Sequence, residues 1–371
     1  MPASPENAAQ PDLADWLRLT LARGLGPERQ RRLLAAFGLP AAIFSTPRAN
    51  LAAVVGSDGA DALLAAPDHE AIAAALAWAV TPGNHILTLA DGAYPRALLE
   101  VADPPVLLYA KGRLDLLDTP ALAIVGARSC TPQGEENAAA FARELATAGL
   151  SIVSGLALGI DAAAHRGALA AAGGQTIAVI GTGADRVYPA RNQALARQIA
   201  EHGLILSELA LGTPALAHNF PRRNRLIAGL ARGVLVVEAA VGSGSLITAR
   251  LAAENGREVF AIPGSIHSPQ ARGCHRLIRD GAKLVETAAD VLEELRWTAP
   301  APPAPATAAP ARGTAGDDAV LGALGHDPVD IDTLAGRCGL TVDALYAILL
   351  PMEMDGRIVR LPGGRFQRHH C

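Results

Sequence analysis

From Ile86 to Val285 the chain repeats one pattern: a short apolar run, a glycine or small polar residue, then a helical stretch. The strong runs are Ala121–Val125, Leu150–Val153, Thr176–Ile180, Leu204–Ser207, Gly233–Val237 and Glu258–Ile262. Weaker ones occur at Ile86–Leu89, Val106–Tyr109 and Lys283–Val285. Val/Ile-rich runs that alternate with helices, such as Glu135–Ala148, suit strands of a parallel sheet covered on both faces. The expectation is therefore α/β: an extended, Rossmann-like, doubly wound parallel sheet over residues 83–296. Gly126, Gly155, Gly181 and Gly264 close central runs. In such a sheet, ligands bind beyond the carboxyl ends of the strands, where these loops gather.

Residues 1–82 read as a helical domain broken by glycines. Trp16, Leu17, Leu19 and Leu21 precede Gly24-Leu-Gly-Pro27, and helical periodicity resumes over Glu28–Phe37. Pro27 suits a first helical position and Gly38 a stop. A second turn at Val55–Gly59 follows a helix opened by Thr46 and Pro47. Helix, Gly-x-Gly turn, helix is a helix-hairpin-helix or SAM-like pattern, open to a phosphate contact, a protein contact or plain scaffolding. Residues 297–316 form a Pro/Ala linker, an extended spacer with no core of its own. Residues 317–371 suggest a winged helix. Asp332–Cys338 is a short helix, and Thr341 caps another with Val342, Leu345, Leu349 and Met352 on one side. Two strand-like segments then flank Leu361–Gly364. Arg357, Arg360, Arg365 and Arg368 favour DNA, whereas winged helices also serve as protein modules, and Pro351 interrupts the helix. Both partners stay open.

A net charge of −4 excludes a wholesale polycation, so any nucleic-acid site must be local. Cys130, Cys274, Cys338 and Cys371 lie far apart without Cys-x-x-Cys, which supplies neither a zinc site nor a disulfide framework and suits a reducing cytoplasm. No signal peptide, membrane span, metal or cofactor is expected.

The densest chemistry lies in Asn219–Gly233, where Arg222, Arg223, Arg225 and Arg232 occur without one acid. Phe220 and Asn224 sit among them, in a chain only 4% aromatic. Guanidinium forks pair with phosphates, and an aromatic face accepts a base. The competing reading is a solvated basic turn with a core Phe. Gly126-Ala-Arg128-Ser129 follows a strand where a doubly wound fold puts a phosphate, but it is not Gly-x-Gly-x-x-Gly. Ser154-Gly155 closes the next strand, and Asp161 and His165 follow at i, i+4. That pair permits a metal, acid–base chemistry, or a structural cap and hydrogen bond. Gly242-Ser243-Gly244-Ser245 with Thr248 opens a helix after Glu238, an arrangement that holds anions by backbone amides and hydroxyls. No P-loop, nucleophile elbow or His-Glu-x-x-His is present, and no set of residues assigns an acid, a base and a nucleophile.

Taken together these motifs resemble the DNA-processing protein A family (DprA, also called Smf). The matching stretches are Ile124–Ser129, Ser154–His165, Asn219–Arg225, Val236–Ala249 and Glu258–Gly264, covering about residues 85–290. The resemblance implies a single-stranded DNA-binding protein, not an enzyme, that dimerises and loads the RecA recombinase in natural transformation. It implies that Arg128 contacts phosphate, that Phe220 stacks on a base near Arg223, and that residues 242–248 line the same pocket. It also puts His275, Leu277 and Ile278 in the dimer-forming segment. Some members have a lysine where this chain has Ala215-Leu-Ala-His218. The alternatives are a nucleoside-monophosphate hydrolase of related fold, for which Glu238 and Gly242–Ser245 would be the site, and a scaffold that binds only protein.

Overall fold

The computed structural model describes residues 10–298, 315–324, 329–354, 357–361 and 365–368. The chain divides into two compact units, Met1–Pro300 and Ala301–Cys371. In the first, nine strands make one sheet: β1 (Asn84–Thr88), β2 (Leu107–Gly112), β3 (Ala121–Val125), β4 (Ser151–Ser154), β5 (Thr176–Val179), β6 (Leu204–Ser207), β7 (Gly233–Val236), β8 (Glu258–Ala261) and β9 (Lys283–Leu284). Their spatial order is β1-β2-β6-β5-β4-β3-β7-β8-β9. From β6 across to β9 every pairing is parallel, as the apolar runs predict. The edge corrects that expectation, because β1 pairs with β2, and β2 with β6, antiparallel. Only the short helix Arg96–Leu99 lies between β1 and β2, whereas a parallel crossover ordinarily carries a full one.

The parallel sheet starts at its centre with β3, grows outward to β6, then resumes on the other side of β3 with β7. This reversal opens a crevice between the loops after β3 and β7, the usual ligand position in an open α/β sheet. Alternation along β3 sends Ala121, Ala123 and Val125 to one face and Leu122 and Ile124 to the other. The first face packs against Leu226 and Ile227 of helix Asn219–Leu230, Ala249 and Ala252 of helix Gly244–Glu254, and Cys274. The second packs against Phe141 and Leu145 of helix Pro132–Thr147, Ile160 and Ala164 of helix Ile160–Ala170, and Val291. Leu235 of β7 is fully buried there, and truncating it to alanine should cost about 2–5 kcal/mol.

The helices before β1 pack around Leu17, Leu33, Ile43, Leu51 and Leu63, and their core is continuous with Val106, Leu107 and Tyr109 at β2. Pro27 opens helix Pro27–Phe37, and Gly38, at φ 81°, ends it. Thr46 caps nothing: its hydroxyl donates to the Ala42 carbonyl (2.8 Å), and the next helix begins at Arg48. Gly56 alone, at φ 79°, separates that helix from Ser57–Leu64, so the second turn is shorter than the sequence suggests. No single helix among the described residues is long and apolar enough to cross a membrane.

The second unit is a winged helix. Helices Ala315–Leu324, Ile331–Cys338 and Val342–Met354 pack with strands Val329–Asp330, Arg365–Arg368 and Ile358–Leu361, antiparallel in that order, around Leu334, Leu345, Leu349 and Phe366. Thr341 accepts from the Ala344 N–H (3.4 Å) as a cap. Pro351 lies exposed in the last turn, and the helix runs through it to Met354. Both ends of the expected linker are structured. Trp297 donates from its indole to the Ala148 carbonyl (2.9 Å), and a helix already begins at Ala315. Linker residues 299–314 and the wing tip, 362–364, lie outside the described residues.

Candidate nucleic-acid interface

The loops after β3 to β7 and the first turn of helix Asn219–Leu230 enclose a cavity of about 550 Å³ over the reversal point. Glu238, just after β7, clamps the two sides of the crevice together. Its carboxylate accepts the Thr131 N–H (2.9 Å) and the Thr131 hydroxyl (2.6 Å). Gly126 is required beneath: a Cβ there would lie 2.6 Å from Ile160 and 2.9 Å from the Glu238 carbonyl.

One wall is aromatic. Phe220 is half-buried, its ring centroid 5.6 Å from that of the exposed Tyr188 at a tilt of 45°. The Arg128 guanidinium stands 5.5 Å from the Phe220 centroid, within cation–π range. Among the described residues Arg128 has no ion-pair partner, so its donors face the cavity mouth uncommitted. Opposite stands the N-terminus of helix Gly244–Glu254, whose first N–H groups lack intrahelical partners and whose dipole favours anions. Ser243 caps it, its hydroxyl 2.7 Å from that of Ser245. Thr248 lines the same wall one turn on, and Asn224 donates to the Gly244 carbonyl (3.3 Å).

The remaining arginines are committed elsewhere. Arg223 also lines the cavity, but only 4% of it is exposed. Its Nη1 donates to the carbonyls of Gly155 (2.7 Å) and Val179. A Cβ at Gly155 would collide with this guanidinium, which explains the glycine. Burial pushes the Arg223 pKa down to about 10, partly offset by Asp161, so it remains a cation at neutral pH beneath the cavity. Arg222 pairs with Glu208 (3.0 Å), and Arg225, buried, bridges Glu208 and Asp103 (3.0 Å). Neither Arg222 nor Arg225 lines the cavity.

Asp161 and His165 have separate structural partners. Asp161 accepts the N–H groups of Gly155 (3.1 Å) and Ala157 (3.3 Å), holding the loop after β4 around Arg223. Burial raises its pKa, opposed by Arg223 and these N–H groups. The Thr176 hydroxyl donates to the Ile152 carbonyl (2.7 Å), so its oxygen accepts from the His165 Nδ1–H (2.7 Å). Burial, with Arg223 and Arg166, pushes the His165 pKa down to about 3, and the ring is neutral.

Of the residues singled out in the sequence, Gly126, Arg128, Phe220, Arg223, Asn224, Ser243, Gly244, Ser245 and Thr248 meet around the cavity. Ser129, Ser154, Gly155, Arg222, Arg225 and Gly242 do not line it. Ser154 donates to the Ile124 carbonyl (2.6 Å) in the sheet, and the Ser129 carbonyl accepts from Gln270 (3.2 Å). Tyr188 is the aromatic lining residue that the sequence reading missed. Its signal was an aromatic residue two positions after a charged pair, Asp185-Arg186, in the loop after β5.

A doubly wound sheet with an aromatic, arginine-bearing crevice at its reversal point, a helical region before it and a winged helix after it defines a Rossmann-like protein with a winged-helix module. Comparison with known proteins supplies the family. Residues 85–296 match the model for DNA recombination-mediator protein A, and residues 299–364 that for the DprA winged helix domain. The chain is 41% identical to Protein Smf of Escherichia coli K12 over 301 residues, 80% of each chain. It is 52% identical over 210 residues to DNA processing protein DprA of Streptococcus pneumoniae R6, covering 57% of this chain and 74% of that one. Among solved structures, DprA from Streptococcus pneumoniae superposes with a TM-score of 0.69 at 41% identity, over 76% of this chain and 97% of that one. DNA processing protein A from Helicobacter pylori, studied for its unique single-stranded DNA binding mode, gives 0.52 at 35% identity, over 57% of this chain and 95% of that one. The chain belongs to the DNA-processing protein A (DprA/Smf) family.

Proposed function

We propose that this chain binds single-stranded DNA in the cavity, without catalysis, and delivers it to the RecA recombinase as a cytoplasmic homodimer. The observation that carries this reading is the uncommitted Arg128 guanidinium over the half-buried Phe220, whose ring is paired with the exposed Tyr188. A base stacks on such a pair whatever its identity, while the guanidinium and the N-terminus of helix Gly244–Glu254 hold backbone phosphate. Family membership and the Helicobacter pylori relative support the same ligand. A duplex buries its base faces against one another, so the aromatic wall favours single strands.

Against the hydrolase reading, the Glu238 carboxylate is hydrogen-bonded to Thr131 and does not line the cavity. Dimer formation is supported by apolar exposure beside helix Arg272–Arg279: Val241 and Leu284 are exposed at the rim of a groove that includes His275 and Ile278. His275 is held against the Gly264 carbonyl (2.9 Å), and Leu277 and Ile278 pack partly into the sheet core.

Fluorescence polarisation with a labelled single strand and the matching duplex tests the ligand. Tighter single-strand binding is expected, and equal affinity for both would overturn it. Faster assembly of RecA filaments on single strands coated with single-strand-binding protein tests delivery. Loss of the dimer in Leu284→Asp, read by sedimentation, tests assembly, and turnover of AMP would reinstate the hydrolase.

A further inference from the structure

Helix Val342–Met354 occupies the place that in helix-turn-helix proteins enters the major groove. Its composition does not suit that task. The sequence Val-Asp-Ala-Leu-Tyr-Ala-Ile-Leu-Leu-Pro-Met-Glu-Met contains no Arg, Lys, His, Asn, Gln, Ser or Thr. Those side chains supply most donors to base edges and to phosphates, and the one other donor on the helix is the Tyr346 hydroxyl. Its charged residues are both acids, Asp343 and Glu353, and the phosphates of a duplex repel them.

The helix has two faces. Leu345, Leu349 and Met352 are buried in the core of the winged helix. Tyr346 is 39% exposed and Leu350 60% exposed, and Glu353, also exposed, follows. Spacings of four and three residues place these three on one stripe. Tyr346 is held by an edge-to-face contact with the buried Phe366, centroids 6.1 Å apart, so its ring is fixed before any partner arrives. Two large apolar side chains at i, i+4 are the anchors by which one amphipathic helix docks on another.

The charge decides the occupant. A second copy of this helix, paired about a two-fold axis through Tyr346 and Leu350, would offer Glu353 no basic side chain from its own stripe. A duplex repels the same acid. The complementary surface is a helix with its own apolar pair and with basic residues beside it.

We propose that the exposed Tyr346–Leu350 stripe docks an amphipathic helix of a partner protein, one carrying two large apolar residues at i, i+4 flanked by Lys or Arg. The test uses the full chain and two stapled helical peptides with the same apolar pair, one lysine-flanked and one glutamate-flanked, followed by fluorescence polarisation. The lysine peptide should bind about tenfold tighter than the glutamate peptide, and Leu350→Ala should weaken it by about the same factor. Glu353→Lys should reverse the preference between the peptides. Both substituted side chains are exposed, so the variants should keep the fold, and a circular-dichroism melt verifies this. A labelled duplex should bind the wild type and Leu350→Ala equally. Absent binding, equal binding of both peptides, or indifference to Leu350→Ala would overturn the proposal. Duplex affinity that fell with Leu350→Ala would assign the helix to DNA instead.

Discussion

Arg128 and the arginines of helix Asn219–Leu230 carry the same chemical group, but only Arg128 and Arg223 line the cavity, and the four do different things. Arg128, on the loop after β3, has no ion-pair partner among the described residues and stands over Phe220. Arg222 and Arg225 each donate from Nη2 to one Glu208 oxygen, and Arg223 is spent on the carbonyls of Gly155 and Val179. A guanidinium paired with a carboxylate has its charge offset and its position fixed, which leaves less to attract a phosphate. Local charge density therefore points to the helix, while the free cation is on the loop. The helix arginines build the cavity, and the loop arginine faces its ligand.

The largest effect should come from the builders. Arg225→Met leaves the Glu208 carboxylate buried without its main cation, a change that typically costs about 3–5 kcal/mol. Urea denaturation reads this, and an unchanged midpoint would mean that Arg225 does not hold the structure. Next comes the stacking wall. Phe220→Ala should weaken single-strand binding by about 1–3 kcal/mol while the midpoint stays near wild type. Tyr188→Ala should act in the same direction with a smaller loss, and full affinity in both variants would remove the aromatic platform from the account.

The buried charge of Arg223 also reaches His165. The unfolded histidine titrates near 6.5 and the folded one at about 3, so between these values only the unfolded chain takes up the proton. Stability is full above about pH 6.5 and falls as pH drops toward 3, by at most about 1.4 kcal/mol per unit from this group. His165→Gln should flatten that part of the profile, and an identical profile would contradict a neutral buried ring. The smallest effect is expected at Arg222→Ala, less than about 0.5 kcal/mol in single-strand affinity, because that side chain already serves Glu208.

Much of the sheet was legible because strands buried on both faces write continuous apolar runs, and Ala121–Val125 and Leu204–Ser207 fall where the sequence put them. The cavity was legible because strand order fixes which loops meet, which brought Gly126, Phe220 and Ser243–Thr248 together. Strand direction at the edge was not, since the weaker apolar runs of β1 and β2 mark strands without saying which way they pair. Nor was the fate of the arginines. Glu208 lies 14 residues before Arg222, at the end of another strand, and only the folded sheet puts them 3.0 Å apart. Tyr188 escaped for the same reason, its loop meeting Phe220 across the crevice rather than along the chain.

The salt dependence of single-strand binding, measured for the wild type, Arg128→Ala and Arg222→Ala, tests the contrast between loop and helix most directly. Loss of one phosphate contact lowers the slope of log affinity against log salt by about 0.7. Arg128→Ala should show that drop together with weaker binding, and Arg222→Ala should keep the wild-type slope. The reverse outcome, a reduced slope in Arg222→Ala and an unchanged one in Arg128→Ala, would contradict the assignment of the free cation to the loop.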